Sequence, residues 1–269
     1  MEPGPQLDKI KANTKAAWMA GDYTKFAEPL ESEGLRILDG LGIPAGCRML
    51  DVACGSGQAA IPAARAGVEV TGIDIATNLI EAARQRVAAE GLSAKFDEGD
   101  MEQLPYPAAS FDVVLSTFGA IWSIRPDRVS TELIRVCRPG GRIILLSWVR
   151  TGMMGQLLTK ASAWSPPSIP SPLLWGDEEV VRARLADHIK EIRFAHKMFR
   201  MRYPFGPRDV ADNWLRYNGP LNLRFDSLPA EEQIPFRAEL ERFFAVNNLA
   251  TDGTGQFDSE YLETTAIRE

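Results

Sequence analysis

Cysteine, histidine, long apolar runs and excess positive charge are all scarce in this 269-residue chain, and each shortage removes a class of protein. Three scattered cysteines (Cys47, Cys54, Cys137) cannot make a disulfide framework, so the expected compartment is reducing and cytoplasmic. His188 and His196 are the only histidines, and no Cys or carboxylate accompanies them at ligand spacing. No metal site is expected, although either ring could serve as a general base. The longest strongly apolar stretch, Ile143–Val149, falls far short of the roughly 20 residues that span a bilayer. The opening segment, MEPGPQLDKIKANTK, has no apolar core of a secretory signal. With 30 Lys plus Arg against 36 Asp plus Glu, the net charge is −6, and counterion-release binding to nucleic acid lacks the basic stripe it needs. The densest candidate, Arg193–Arg208, alternates basic with apolar residues as a half-exposed strand does. No internal repeat or low-complexity segment is present.

What remains is an ordinary globular composition, 45% hydrophobic and 25% charged, long enough for a sizeable core. From residue 48 to 149, apolar runs alternate with helical stretches, the rhythm of a parallel sheet covered by helices. Strands are expected at Arg48–Ala53, Val68–Asp74, Ala94–Glu98, Phe111–Thr117 and Arg142–Trp148, with helices near Gln58–Ala66, Asn78–Glu90 and Ser130–Val136. Pro139-Gly140-Gly141 reads as a break before the fifth strand. Thr151–Trp175, with Pro166, Pro167, Pro170 and Pro172, reads as a stiff, irregular surface flap. A long strand at His188–Tyr203, helices at Pro207–Tyr217 and Pro229–Asn247, and a last strand at Tyr261–Arg268 follow. Leu7–Ala20 is expected as an amphipathic helix outside the sheet. The expected division is an N-terminal helical cap (1–44), a ligand-binding core (45–150) and a region of flap, last strands and helical insertion (151–269), all one continuous domain.

The densest chemical signal is Leu50-Asp51-Val52-Ala53-Cys54-Gly55-Ser56-Gly57-Gln58, where a strand turns into a helix. Glycines there let the backbone approach a ligand, and the following helix offers unpaired N–H groups. Seventeen residues beyond Gly57, Asp74 ends the second strand, where a carboxylate can accept hydrogen bonds from both ribose hydroxyls. Dinucleotide folds need G-x-G-x-x-G to seat a pyrophosphate; here the series is Ala53-x-Gly55-x-Gly57, with a two-residue last interval.

That series resembles motif I of the class I S-adenosylmethionine (SAM) dependent methyltransferases, with Ala53 in place of the first glycine, a change that is tolerable if its φ is negative. Gly72-Ile73-Asp74-Ile75, Gly99-Asp100-Met101-Glu102-Gln103-Leu104-Pro105, Phe111-Asp112-Val113-Val114 and Leu133–Gly141 resemble further motifs of that family, in order. The resemblance covers residues 45–150 and is nearest the branch that includes ubiquinone and menaquinone methyltransferases. It implies an α/β fold: a doubly wound, mostly parallel, seven-stranded Rossmann-like sheet with an N-terminal helix and helical lid insertions. It also implies SAM as cofactor and S-adenosylhomocysteine as product. The cofactor-binding residues it implies are Trp18, Asp51, Ala53, Gly55, Gly57, Gln58, Asp74 (ribose), Ile75 (adenine face), Asp100 (adenine amino group), Met101 (backbone N–H to the ring) and Thr117. Phe118 and Trp122 are implied for the substrate, and no catalytic residue is assigned. At Cys54 a small apolar residue is all the position needs, which argues against a nucleophile.

No Asn-Pro-Pro-Tyr or Asp-Pro-Pro-Tyr run is present to hold a planar exocyclic amine, and aromatics crowd the second half (Trp164, Trp175, Trp214, Tyr217, Phe225, Phe236, Phe243, Phe244). The expected acceptor is therefore a small, partly apolar molecule. No nucleic-acid partner or membrane span is expected, and the chain is read as a monomer or homodimer. Three rival readings stay open: a SAM-fold enzyme with other chemistry, a non-catalytic SAM-binding module, and a nicotinamide-dependent oxidoreductase, the last disfavoured by the glycine interval.

Overall fold

The computed structural model describes residues 4–162 and 169–269. Along the chain the helices are α1 (Pro5–Met19), α2 (Tyr23–Ala27), α3 (Glu31–Gly40), α4 (Ala60–Arg65), α5 (Thr77–Ala89), α6 (Pro126–Val136), α7 (Met153–Ser162), α8 (Glu178–Leu185), α9 (Pro207–Tyr217), α10 (Gly219–Asp226) and α11 (Ala230–Asn247). The strands are β1 (Arg48–Val52), β2 (Glu69–Asp74), β3 (Ala94–Glu98), β4 (Phe111–Thr117), β5 (Cys137–Trp148), β6 (Ile189–Tyr203) and β7 (Gly255–Arg268).

The chain divides into two compact units. The first, Gly34–Phe199 with Ser259–Glu269, holds the body of a seven-stranded sheet in the order β3-β2-β1-β4-β5-β7-β6. Strands β1 to β5 pair in parallel, and β7 runs antiparallel to β5, so this is the expected Rossmann-like architecture, mostly parallel. Parallel strands covered on both faces must be apolar along their whole length; Met49, Leu50, Val52, Val113, Val114, Leu115 and Ile143 to Leu146 are accordingly buried. One cluster joins β1 and β2 to α4 and α5 through Met49, Val70, Ile61, Ala63, Ile80, Ala83 and Phe96. The second unit, residues 4–33 with Arg200–Asp258, is built mainly of α1, α2 and α9 to α11. Its core is aromatic: Phe26, Phe244 and Phe257 are buried, Trp214 packs edge-on to Phe26 at 4.9 Å, and Trp214 Nε1 donates to the Tyr203 hydroxyl at 3.0 Å.

Two local expectations need correction. The flap is not irregular throughout: residues 153–162 form α7, because the prolines start only at 166 and leave this stretch free to propagate a helix. Trp175 is 1% exposed, and its indole N–H donates to Ser123 Oγ at 3.1 Å. Trp164, Pro166 and Pro167 lie outside the described residues. Pro139-Gly140-Gly141 does not break β5, which begins at Cys137; Gly140 takes φ +72°, and a register shift opposite Phe111 to Val113 absorbs the extra residues. Helices α3 and α8 carried no signal strong enough to be read from sequence. No helix among the described residues is long and apolar enough to cross a membrane.

Candidate functional site

Strand order reverses between β1 and β4: the chain winds outward through β2 and β3, then returns to place β4 on the other side of β1. In open α/β sheets such a switch point leaves a crevice at the carboxyl ends of the strands. The loop after β1 fills that position, and its hydrogen bonds fix its path. Cys54 N–H donates to Ile73 O at 3.0 Å, Gly57 N–H to Cys54 O at 3.0 Å, and the Arg86 guanidinium to Ser56 O at 2.8 Å. Gln58 Nε2 donates to Ser56 Oγ at 2.6 Å. Left-handed backbone occurs at Gly55 (φ +56°) and Gly57 (φ +89°), as the glycines suggest.

Ala53 departs from expectation. Its φ is +56°, not negative, so the alanine that replaces the family's first glycine holds the left-handed conformation itself. Phe118, at the end of the neighbouring strand β4, is left-handed as well (φ +58°). The two meet through Gly119, where a Cβ would lie 2.5 Å from Ala53 Cβ and 2.9 Å from its carbonyl oxygen. Backbone strain of this kind costs about 1–3 kcal/mol per residue and persists where the surroundings over-determine it. Ser116 supplies part of that constraint, donating to Val52 O at 2.7 Å and accepting from Ala120 N–H at 2.9 Å. Phe118 is fixed from outside as well: its ring stacks on Trp148 (3.9 Å, 12°), with Phe199 and Tyr261 edge-on to it.

Asp74 closes the crevice on the β2 side. Its Oδ2 accepts the Gly55 N–H and its Oδ1 the Ala76 N–H, both at 2.9 Å, so the carboxylate ties the loop to the strand end. Burial pushes its carboxyl above the usual range, and the amides of Ala76, Gly55 and Ile75 pull it back. Asp51, one strand over, is 0% exposed and neither oxygen has a partner at hydrogen-bond geometry. Burial first, then the Asp74 charge, push its carboxyl up to about 8, against a smaller pull from the Ala60 amide. The same burial pushes the Cys54 thiol well up, so that side chain is inert packing.

On the third side, Asp100 Oδ1 accepts the Glu102 N–H at 2.8 Å and turns the chain back after β3. The turn is clamped from beneath. Buried Glu102 accepts both the Arg125 N–H and its Nε–H at 2.8 Å, and Glu132 accepts the Leu104 N–H at 2.8 Å while pairing with Arg135 at 2.7 Å. Exposure sorts the expected residues. Ala53, Gln58, Ile75, Asp100, Met101, Thr117, Phe118 and Trp122 keep partial exposure around the strand ends, Gly55, Gly57 and Asp74 are buried in the loop and its tie, and Asp51 has no accessible surface at all. Trp18 lies in the second unit, edge-on to Tyr23 at 5.8 Å, and its expected role rests on the resemblance alone. His196 is exposed between Glu260 (2.9 Å) and Glu178 (3.2 Å), and no group of three metal-ligating side chains occurs among the described residues. Ser116, Gly119, Arg86, Glu102 and Arg125 shape this site without having been singled out from the sequence. Only Glu102 stood in a recognised motif; the others act through partners 23 or more positions distant or through backbone contact.

A family model described as a methyltransferase domain matches residues 50–145, the span that carries β1 to β5 and this crevice. The chain belongs to the class I SAM-dependent methyltransferase family. Within it, the branch is that of the methyltransferase type 11 domain. An uncharacterized protein of Mycobacterium tuberculosis is 35% identical over 253 residues, 93% of this chain and 92% of that one. The demethylmenaquinone methyltransferase of Deinococcus radiodurans is 42% identical over 103 residues, 38% of this chain and 43% of its own length. The crystal structure of the YcgJ protein of Bacillus subtilis has a similar fold, at TM-score 0.62 and 19% identity, covering 88% of this chain and 98% of that one.

Proposed function

We propose that this protein is a SAM-dependent methyltransferase whose acceptor is a small, partly apolar metabolite. The observation that carries the reading is Asp74, a strand-end carboxylate already bonded to one glycine-loop amide and one helix amide, at the point where the strand order reverses. A carboxylate offers about four lone-pair sites; Gly55 and Ala76 take one on each oxygen at 2.9 Å, and the remaining capacity can meet ribose hydroxyls. The residues therefore fit a nucleoside, and the absence of a pyrophosphate-type glycine interval favours SAM over a dinucleotide.

When bound, SAM supplies a methyl group on a cationic sulfur that leaves as the acceptor attacks in line. The chain's own work is to hold and align. Asp74 takes the ribose, Ile75 packs on the adenine face, the Asp100 carboxylate accepts the adenine amino group, and Met101 N–H reaches the ring. Ala53, Gly55, Gly57, Gln58 and Thr117 cradle the remainder, and Phe118 and Trp122 offer apolar surface to the acceptor. Alignment alone can contribute several kcal/mol to such a displacement. The 42% identity to a demethylmenaquinone methyltransferase over 103 residues, 38% of this chain, is in keeping with an apolar acceptor. The test is a metabolite panel incubated with isotope-labelled SAM, with the labelled product identified by mass spectrometry and S-adenosylhomocysteine quantified. Binding is checked separately: SAM at 100 times Kd should stabilise the fold by about 2.7 kcal/mol, a rise in Tm of roughly 5–10 °C. No stabilisation by SAM or S-adenosylhomocysteine, or stabilisation by NAD instead, would overturn the reading.

A further inference from the structure

Two buried carboxylates act on each other at the ends of β1 and β2, and they are not equivalent. Asp74 accepts two backbone N–H groups, so its negative charge is partly met. Asp51 is fully buried and both its oxygens lack a hydrogen-bond partner. The elements packed around it supply little positive charge. Across the pairing from β2 comes Asp74, from the loop the buried Cys54 thiol, and from α4 only the Ala60 amide. The Ser116 hydroxyl of β4 is committed to Val52 O. Among the described residues no Lys, Arg or His forms an ion pair with Asp51. Two adjacent charges without a counter-ion do not both persist in such a place, and the one with only the weaker Ala60 amide beside it keeps the proton.

Resting on the SAM reading above, we propose that Asp51 is a proton-linked positioning residue: neutral in the ligand-free protein, it ionises when the cationic donor settles on the Ala53–Gly57 loop, and its proton passes to solvent. The donor brings a sulfonium and an ammonium cation toward a loop beside two carboxyls, where the Arg86 guanidinium is engaged by Ser56 O. The added positive charge favours the ionised form of Asp51, whose anion faces the Ala60 amide at the start of α4. Because Asp51 has no accessible surface, it acts through the loop and not by touching the ligand.

The pH dependence follows from the balance RCOOH → RCOO⁻ + H⁺. With the ligand-free carboxyl near 8, donor affinity should climb as pH rises from 6 toward 8.5 and level off above. Asp51→Asn keeps the shape but has no proton to lose. SAM is titrated calorimetrically at pH 7 into wild type and Asp51→Asn, each in phosphate and in Tris, whose ionisation enthalpies differ widely. The buffer dependence of the heat counts protons, and the difference between the two proteins cancels any proton exchanged by the ligand's own amine. Wild type should release about 0.3–1 proton more than Asp51→Asn, and the variant should bind SAM about tenfold more weakly at pH 8.5 with a flatter pH profile. Equal proton counts in the two proteins, with SAM bound by both, would overturn this proposal and leave the SAM reading intact. No binding heat in either would overturn both. If Asp51→Asn does not fold, a carboxyl carbon titration of wild-type Asp51 by NMR decides: a midpoint near 8 that falls when SAM is added supports the proposal, and a midpoint below 5 in the free protein refutes it.

Discussion

Replacing Asp74 by alanine removes two bonds that the empty protein already makes, so its cost should appear before any ligand is added. Each N–H to carboxylate bond measures 2.9 Å, and hydrogen bonds to charged groups contribute about 1.5–3 kcal/mol. Two of them give about 3–6 kcal/mol gross, from which the strain of keeping a buried carboxyl must be subtracted, since its raised pKa shows that burial outweighs the three amides. A net loss of about 2–4 kcal/mol is expected, or roughly 5–12 °C in Tm for a chain of this size. Asp74→Asn keeps one acceptor oxygen, but its amide nitrogen then faces either the Gly55 or the Ala76 N–H, donor against donor. It should recover less than half of the loss. Differential scanning calorimetry of the three ligand-free proteins, followed by SAM titration, separates the two roles of this side chain. An alanine variant melting within about 1 °C of wild type would refute the argument, because the Gly55 tie would then contribute nothing to the fold.

Gly119→Ala should cost about 1–3 kcal/mol and weaken SAM binding as well, since its Cβ meets the Ala53 backbone and must push the loop; unchanged SAM affinity by titration would show that the β4 end and the loop move independently. The ligand-free protein should lose stability as pH rises from about 4 to 8. Burial pushes the folded Asp51 carboxyl up to about 8, against near 3.9 when unfolded, so across that window the folded state holds the extra proton and rising pH removes the stability this group contributes. Asp51→Asn should flatten that slope, as measured by urea denaturation at pH 5, 6, 7 and 8, and an unchanged slope would place the titration elsewhere.

The strands around the crevice were legible because each is a short apolar run closed by a turn residue, and the glycines at 55 and 57 need their conformations locally. Asp74 was legible for its place at a strand end, but not for its bond to Gly55, which depends on where the loop lies in space. The sign of φ at Ala53 is not legible, because nothing in an alanine's neighbours reveals that Gly119, 66 positions on, leaves room for the bend. Residues 153–162 were lost to the prolines that follow them, whose effect on helix formation is local and does not reach back that far. The second unit could not be read as such, since it joins residues 4–33 to Arg200–Asp258, and composition carries no mark of which distant segments will meet.

The position of β7 has a consequence for how the sheet is assembled during synthesis. It is the last of the seven strands to be made, yet it lies inside the sheet, between β5 and β6. Until it arrives, β5 has an open ladder along Arg142–Trp148, and β6 has no place to dock against it. An emerging chain can close β1 to β5 by local winding, but it must hold a bare apolar edge for more than a hundred residues, a span that includes all of α7 to α11. Lys190 and Lys197 on β6 suit that interval, because lysines along a waiting strand discourage it from pairing with a neighbouring chain. Once β7 is in place, Lys197 meets Glu263 at 2.7 Å, and one of those waiting charges becomes a cross-strand pair.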